Sequence, residues 1–185
     1  YNRGQILYRI AEMLEGRAEQ CAAEISATTA ITPLKAQSMV SEAIDRWVWY
    51  AGWSDKLSAV TGATNPVAGP YYNFTIPEPL GVVVVTASDS FIDFIDAIAA
   101  AVVSGNSVIA LVDGGLSVPA MTFAEVLATS DLPAGVINIL TGSLDELAPW
   151  AASHMDVDGF DISAIGKKKR AELKVAGAEN LKRIY

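Results

Sequence analysis

Hydrophobic residues recur at helical spacing through the first third of the chain and then give way to short unbroken runs. Between Arg3 and Thr28, Ile6, Leu7, Ile10, Leu14, Cys21 and Ile25 fall near one face of a single amphipathic helix. Thr32-Pro33 marks a second start, with the threonine as cap and the proline in the first turn. That helix is predicted to run to about Val60 with Gly62 as its stop, and Met39, Ile44, Trp47, Tyr50 and Leu57 are its candidate buried positions. Residues 63–70, rich in Gly, Pro and Asn, read as a loop. Tyr71 to Ile76 favours an exposed strand closed by Pro77 and Pro79. Its alternation sets Tyr71, Asn73 and Thr75 on a polar-leaning face and Tyr72, Phe74 and Ile76 on an apolar one.

From Gly81 the pattern changes. Gly81 to Thr86 is a continuous β-branched run, as expected of a strand buried on both faces. A helix over 91–103 follows, and Gly105-Asn106 turns the chain into a second buried strand over 107–112. A helix over 118–129, a strand over 136–140, a helix near 143–153, a strand near 159–162 and a last helix over 167–176 complete the series. Strands alternating with helices predict an α/β domain with a doubly wound parallel sheet, preceded by two long helices and an extended strand arm. The chain therefore reads as one domain: a helical lead-in over 1–62, a loop and strand arm over 63–80, and the βα sheet over 81–185.

Composition narrows the function classes. Hydrophobic residues make up 51% and charged residues 18% of 185 positions, which excludes a disordered chain. A net charge of −8 argues against a nucleic-acid or anionic-membrane partner. The apolar stretch from Phe91 to Val103 is too short to span a bilayer and is interrupted by Asp93 and Asp96. With one cysteine no internal disulfide can form, so a reducing, cytoplasmic compartment is expected. No targeting signal is visible, and a chain that begins at Tyr1 is expected to belong to a longer product. One Cys and one His make no metal cluster. Cys21, on a helix and without a histidine near it in sequence, is expected in the core, and His154 in a structural turn. The tryptophans lack the basic neighbours of a nucleic-acid platform and read as core or interface.

Seven phrases in order resemble the aldehyde dehydrogenase superfamily. They are Arg3-Gly-Gln-Ile-Leu-Tyr8, Tyr50-Ala-Gly-Trp-Ser-Asp-Lys56, Pro77-Glu-Pro-Leu-Gly-Val-Val83, Ser104-Gly-Asn-Ser-Val108, Asp131-Leu-Pro-Ala-Gly-Val-Ile-Asn138, Leu140-Thr-Gly142 and His154-Met-Asp-Val-Asp158. Asn180-Leu-Lys-Arg183 resembles the phrase that leads from that family's cofactor domain into its catalytic domain. The resemblance implies a Rossmann-like fold that binds NAD(P) in working members, with the catalytic cysteine and the glutamate base beyond Tyr185. Some members carry a second, truncated copy of this domain, and the chain resembles such a copy, as in aldehyde dehydrogenase family 16-like proteins. The implied partners are a catalytic domain of the same polypeptide and further copies of the chain. The arm carrying Tyr72, Phe74 and Ile76 matches the region that pairs between subunits in the family.

Residue by residue, the implied site is degraded. The family's turn after its first sheet strand supplies an asparagine amide to the oxyanion; here Thr86 is followed by Ala87-Ser88-Asp89. Losing one such donor costs about 3–4 kcal/mol of barrier, and a carboxylate also repels the charge. The lysine and glutamate that hold the ribose are replaced in Leu111-Val112-Asp113-Gly114. Asp113 could accept from ribose hydroxyls, but beside Gly114-Gly115 a plain turn is the stronger reading. The phosphate-binding glycine pattern becomes Ala164-Ile165-Gly166-Lys167-Lys168-Lys169, whose basic residues oppose the helix dipole. The expected pocket of Thr86, Asp89, Leu111, Asp113, Ala164 and Gly166 is thus degenerate. No cofactor is expected, or NAD(P) if the degenerate site still works. Three functions remain: a non-catalytic scaffold, a weak NAD(P)-binding part of a larger enzyme, or a regulatory module taking a phosphate at Asp113 and the Lys167 cluster.

Overall fold

A computed structural model describes residues 2–185; Tyr1 lies outside them. The first predicted helix is two helices, α1 (Asn2–Glu15) and α2 (Ala18–Thr28). Gly16 and Arg17 break it, with Arg17 N–H donating to the Leu14 carbonyl at 3.0 Å in a tightened last turn. Leu7, Ile10 and Leu14 on α1 and Cys21 and Ile25 on α2 are all buried, so the apolar face survives the break.

The second predicted helix also divides, into α3 (Pro33–Trp53) and α4 (Leu57–Thr61). At the break the Ser54 hydroxyl donates to the Ala51 carbonyl at 2.8 Å, competing with the helical ladder. The buried stripe of α3 is Ala36, Val40, Ala43 and Trp47. Of the expected positions only Trp47 is fully buried; Met39, Ile44 and Tyr50 pack at its margins, and Leu57 on α4 is half-buried. Small residues let α3 lie close to α1 and α5 (Phe91–Val103), which leaves the larger side chains at the edges.

The arm differs from its predicted form. β1 (Ala63–Thr64) and β2 (Phe74–Thr75) make a two-stranded antiparallel ribbon apart from the main sheet, pairing Ala63 with Thr75 and Thr64 with Phe74. Residues 63–65 are therefore not plain loop, and the strand within 71–76 is only two residues long. Asn65 clamps the ribbon, its amide donating to Asn73 Oδ1 and Thr75 Oγ1, each at 3.0 Å.

The main sheet holds β3 (Val82–Ala87), β4 (Ser107–Val112), β5 (Ile137–Thr141), β6 (Gly159–Phe160) and β7 (Arg183–Ile184) in the order β5-β4-β3-β6-β7. Every pairing is parallel. The fourth strand ends at Phe160, short of Ile162, and β7 was not expected as a strand. Helices α6 (Ser117–Ala128), α7 (Leu144–Ser153) and α8 (Lys167–Ala178) complete the fold. The pleat sends Val85, Ala87, Val108, Ala110 and Val112 into a core shared with α1, α2, α3, α5 and α6. Val84, Leu111 and Phe160 enter a second core beneath α7 and α8. Buried Asn106 ties the sheet to α5: its Oδ1 accepts from Leu80 and Gly81 N–H, and its amide donates to the Ala101 carbonyl. Among the described residues no helix is long and apolar enough to cross a membrane.

The chain leaves β3 for β4 and β5 on one side and returns to place β6 on the other. Strand order reverses there, which opens a crevice at the carboxyl ends of β3 and β6 where ligands bind in sheets of this kind.

Candidate functional site

The crevice is shaped by two turns. After β3 the Ser90 hydroxyl accepts from Asp93 N–H at 3.2 Å and starts α5. The serine is the cap, so Asp89 precedes the helix, exposed, with Oδ2 accepting from the Ser88 hydroxyl at 2.9 Å. After β6 the loop folds back over β3. Buried Thr86 donates to the Asp161 carbonyl at 3.0 Å and receives Ala164 N–H at 3.4 Å. Asp161 Oδ1 accepts from Ser163 N–H at 2.8 Å and fixes the loop.

Between the turns lies a cavity of about 550 Å³ whose lining includes Thr86, Asp89, Asp93, Asp96, Asp161 and Ala164. No lysine, arginine or histidine lines it among the described residues. Burial, only partly offset by Arg46 at 3.8 Å, holds the Asp96 carboxyl above its ordinary range. The surface is one of acceptors, suited to donors and positive charge and ill suited to phosphate. Among the described residues no group of three His, Cys, Asp or Glu side chains is placed to hold a metal ion.

Of the six residues expected from sequence, Thr86, Asp89 and Ala164 meet in this cavity and the other three do not. Leu111 lies instead in a separate apolar groove of about 300 Å³ with Leu140 and Trp150. Asp113 is engaged with backbone: Oδ1 accepts from Gly114 N–H at 2.6 Å and Oδ2 from Leu144 N–H at 3.0 Å, at the start of α7. Gly166 precedes α8 and contributes no side-chain cap. Of the basic cluster, Lys169 reaches across to α7, donating to the Asp145 carbonyl at 2.6 Å and to its Oδ1 at 2.8 Å. Arg170 binds the Ser163 and Ile165 carbonyls, leaving Lys167 and Lys168 exposed.

Sequence reasoning missed the acidity of the lining. The signal is present in the sequence: Asp93 and Asp96, which interrupt the apolar run, stand three apart on one side of α5. Cys21 is buried and its thiol is pushed up from 9.0 to about 12 by that burial, so no ready thiolate stands there. His154 Nδ1 accepts from Asp156 N–H at 3.2 Å and shapes the turn before β6.

A family model described as the aldehyde dehydrogenase family matches residues 1–185. The chain belongs to the aldehyde dehydrogenase family. This aldehyde dehydrogenase family member is 29% identical over 190 residues to the cytosolic 10-formyltetrahydrofolate dehydrogenase of Mus musculus, covering 99% of the chain and 21% of that relative. It is 30% identical over 177 residues to the hydroxyisobutyraldehyde dehydrogenase of Mycolicibacterium austroafricanum, covering 95% of the chain and 34% of that relative. The chain thus spans about a fifth to a third of the length of these curated relatives. Among solved structures it matches the NAD+ complex of aldehyde dehydrogenase from Bacillus cereus with a TM-score of 0.89 at 23% identity, over 99% of the chain and 37% of that structure. The NAD-dependent aldehyde dehydrogenase from Sinorhizobium meliloti matches with a TM-score of 0.89 at 23% identity, over 99% of the chain and 36% of that structure. At that identity the structural likeness is one of fold.

Proposed function

We propose that this domain is non-catalytic and serves the assembly of a larger NAD(P)-dependent aldehyde dehydrogenase, with the catalytic domain of the same polypeptide and further copies of itself as partners. The observation that carries the reading is Asp89. An exposed carboxylate stands in the turn after β3, where the resemblance calls for an amide donor to an oxyanion. The chain's one cysteine is buried, which removes a nucleophile from this part of the protein. The arm adds to the case, since Tyr72, Phe74 and Ile76 keep their apolar face open. No cofactor is expected. A second reading, a degenerate NAD(P)-binding part that contributes to aldehyde oxidation by the whole protein, draws on the fold shared with the NAD+ complex from Bacillus cereus. Asp113, which the regulatory reading needs free, already has both oxygens engaged.

Two measurements test the proposal. The chain should give no turnover with a panel of aldehydes and NAD or NADP. Activity that survives rigorous purification and is lost on Asp89→Ala would defeat the non-catalytic reading. Light scattering checks association separately, and a chain that stays monomeric at high concentration would defeat the assembly role.

A further inference from the structure

The two edges of the main sheet are built differently. β5 lies at one end and pairs with β4 on one side only. Val108 N–H donates to the Val136 carbonyl at 2.7 Å, and Gly142 N–H donates to the Val112 carbonyl at 3.0 Å. Successive residues of a strand turn their backbone groups to alternate sides, so the even-numbered residues of this stretch face β4. Ile137, Ile139 and Thr141 therefore point their N–H and C=O groups outward, and among the described residues nothing pairs with that edge. At the other end of the sheet β7 is only two residues long, Arg183–Ile184, with Lys182 before it. Shortness and positive charge are what blunt an edge strand. β5 has neither: it runs five residues in unbroken register, and residues 134–142 hold no charge and no proline. Its flank is apolar too, since Leu140 and Trp150, 48% and 76% exposed, border the same groove.

We propose that the outer edge of β5 docks a second copy of the chain, strand against strand and antiparallel, about a two-fold axis at Ile139. The free positions are symmetric about that residue. Pairing Ile139 with its own mate sets Ile137 opposite Thr141 of the second copy, and the reverse, which closes about six backbone hydrogen bonds. Charge selects the occupant. Two chains of net charge −8 repel each other over much of their surface, whereas residues 134–142 bring no charge to the contact. On the groove side Leu140 of each copy then lies opposite Asn138 of the other, so the two apolar flanks meet at the seam. The proposal rests on the assembly role and adds a second surface to it. The ribbon that carries Phe74 stands apart from the main sheet, so both contacts can form at once and the particle is larger than a dimer.

The test follows amide hydrogen exchange, residue by residue, in the 185-residue chain at low and high concentration, with light scattering on the same samples. Where the chain associates, the Ile137, Ile139 and Thr141 amides should exchange at least about tenfold more slowly than in the dilute chain. Asn138 and Leu140, bonded to β4, are the internal reference and should be slow at both concentrations. The arm variant Phe74→Asp with Ile76→Asp should leave a dimer that keeps this protection. Leu140→Lys sets two like charges close together across the seam and should weaken the edge contact by at least about tenfold. Thr141→Pro removes one outward N–H and leaves the β4 ladder whole, so it is read with the same expectation should Leu140→Lys fail to fold by circular dichroism. Added salt should tighten the contact by screening the repulsion between the two negative chains. An associated chain whose outward amides stay fast would overturn the edge contact and leave the assembly role standing. Outward amides already slow in the dilute monomer, or a folded Leu140→Lys chain that keeps its protection, would overturn it as well. A chain monomeric at high concentration overturns both ideas, whichever other strand the edge receives.

Discussion

Asp113 joins the turn after β4 to the start of α7 with one carboxylate, receiving N–H groups from Gly114 and Leu144. Replacing it leaves two amides near the surface without their acceptor, so Asp113→Ala should cost about 1–2 kcal/mol in urea unfolding. Gly115 is a stricter constraint, because a Cβ there would run into the Thr28 backbone carbonyl at the end of α2. A backbone oxygen gives way only if the helix end moves, so Gly115→Ala should destabilise by more than about 1 kcal/mol. Gly166→Ala is the control: nothing lies within 4 Å of its added carbon, and no loss is expected. Cys21 makes a pH prediction. Its folded thiol is held at about 12 against 9.0 for the free side chain. The unfolded chain therefore gives up that proton first, so this contribution is whole below 9.0 and is lost as pH rises from 9.0 toward 12. Urea midpoints measured across that range should fall more steeply in the wild type than in Cys21→Ala. A parallel fall in both would show that the thiol is not as deeply held as its burial implies.

Among the elements, α7 depends on a distant residue for its C-terminal cap. Lys182, only 8% exposed, donates from Nζ to the Ala151 carbonyl at 2.9 Å and to the His154 carbonyl at 2.8 Å. Burial draws its pKa below the usual lysine value, partly offset by Asp158. Lys182→Met keeps much of the stem and removes the donor, so it should cost roughly 1–3 kcal/mol and speed hydrogen exchange in the last turn of α7. No local pattern announces such a contact, and this marks the boundary of what was legible in the sequence. The valine run of β3, the β4 run and the apolar α5 stand out because each is set by its own residues. The breaks at Gly16-Arg17 and Ser54 were hidden, since the apolar face continues through both. The strand β7 was hidden because its two residues become a strand only by pairing with β6. The same division holds at the crevice. The turn after β3 and the change to Ala164 could be read in line, whereas the Asp145 partner of Lys169 lies 24 residues away and becomes a neighbour only after α7 and α8 pack.

For the whole molecule the unbalanced feature is the arm. The chain carries a net charge of −8, yet Tyr71, Tyr72, Phe74 and Ile76 are 73%, 80%, 50% and 61% exposed on one short segment. Tyr72 and Phe74 pack against each other with ring centroids 5.2 Å apart, which spares only part of their surface from water. The ribbon stands outside the parallel sheet and is only two strands wide, so each strand keeps an outer edge with unused backbone groups. A two-stranded ribbon of this kind is marginal by itself and gains most from another strand laid along it. A second copy of the chain is the partner that fits this edge, because it would bury the same aromatic face from both sides. Covering a large apolar side chain is worth about 1.5–3 kcal/mol, so placing charges at two of them should weaken association by roughly two orders of magnitude or more. The double variant Phe74→Asp with Ile76→Asp leaves β3 and both cores untouched. It should therefore lower the particle mass seen in light scattering while the circular dichroism spectrum stays the same. A wild-type chain already monomeric at high concentration, or a double variant that associates as before, would show that the exposed arm is not the contact.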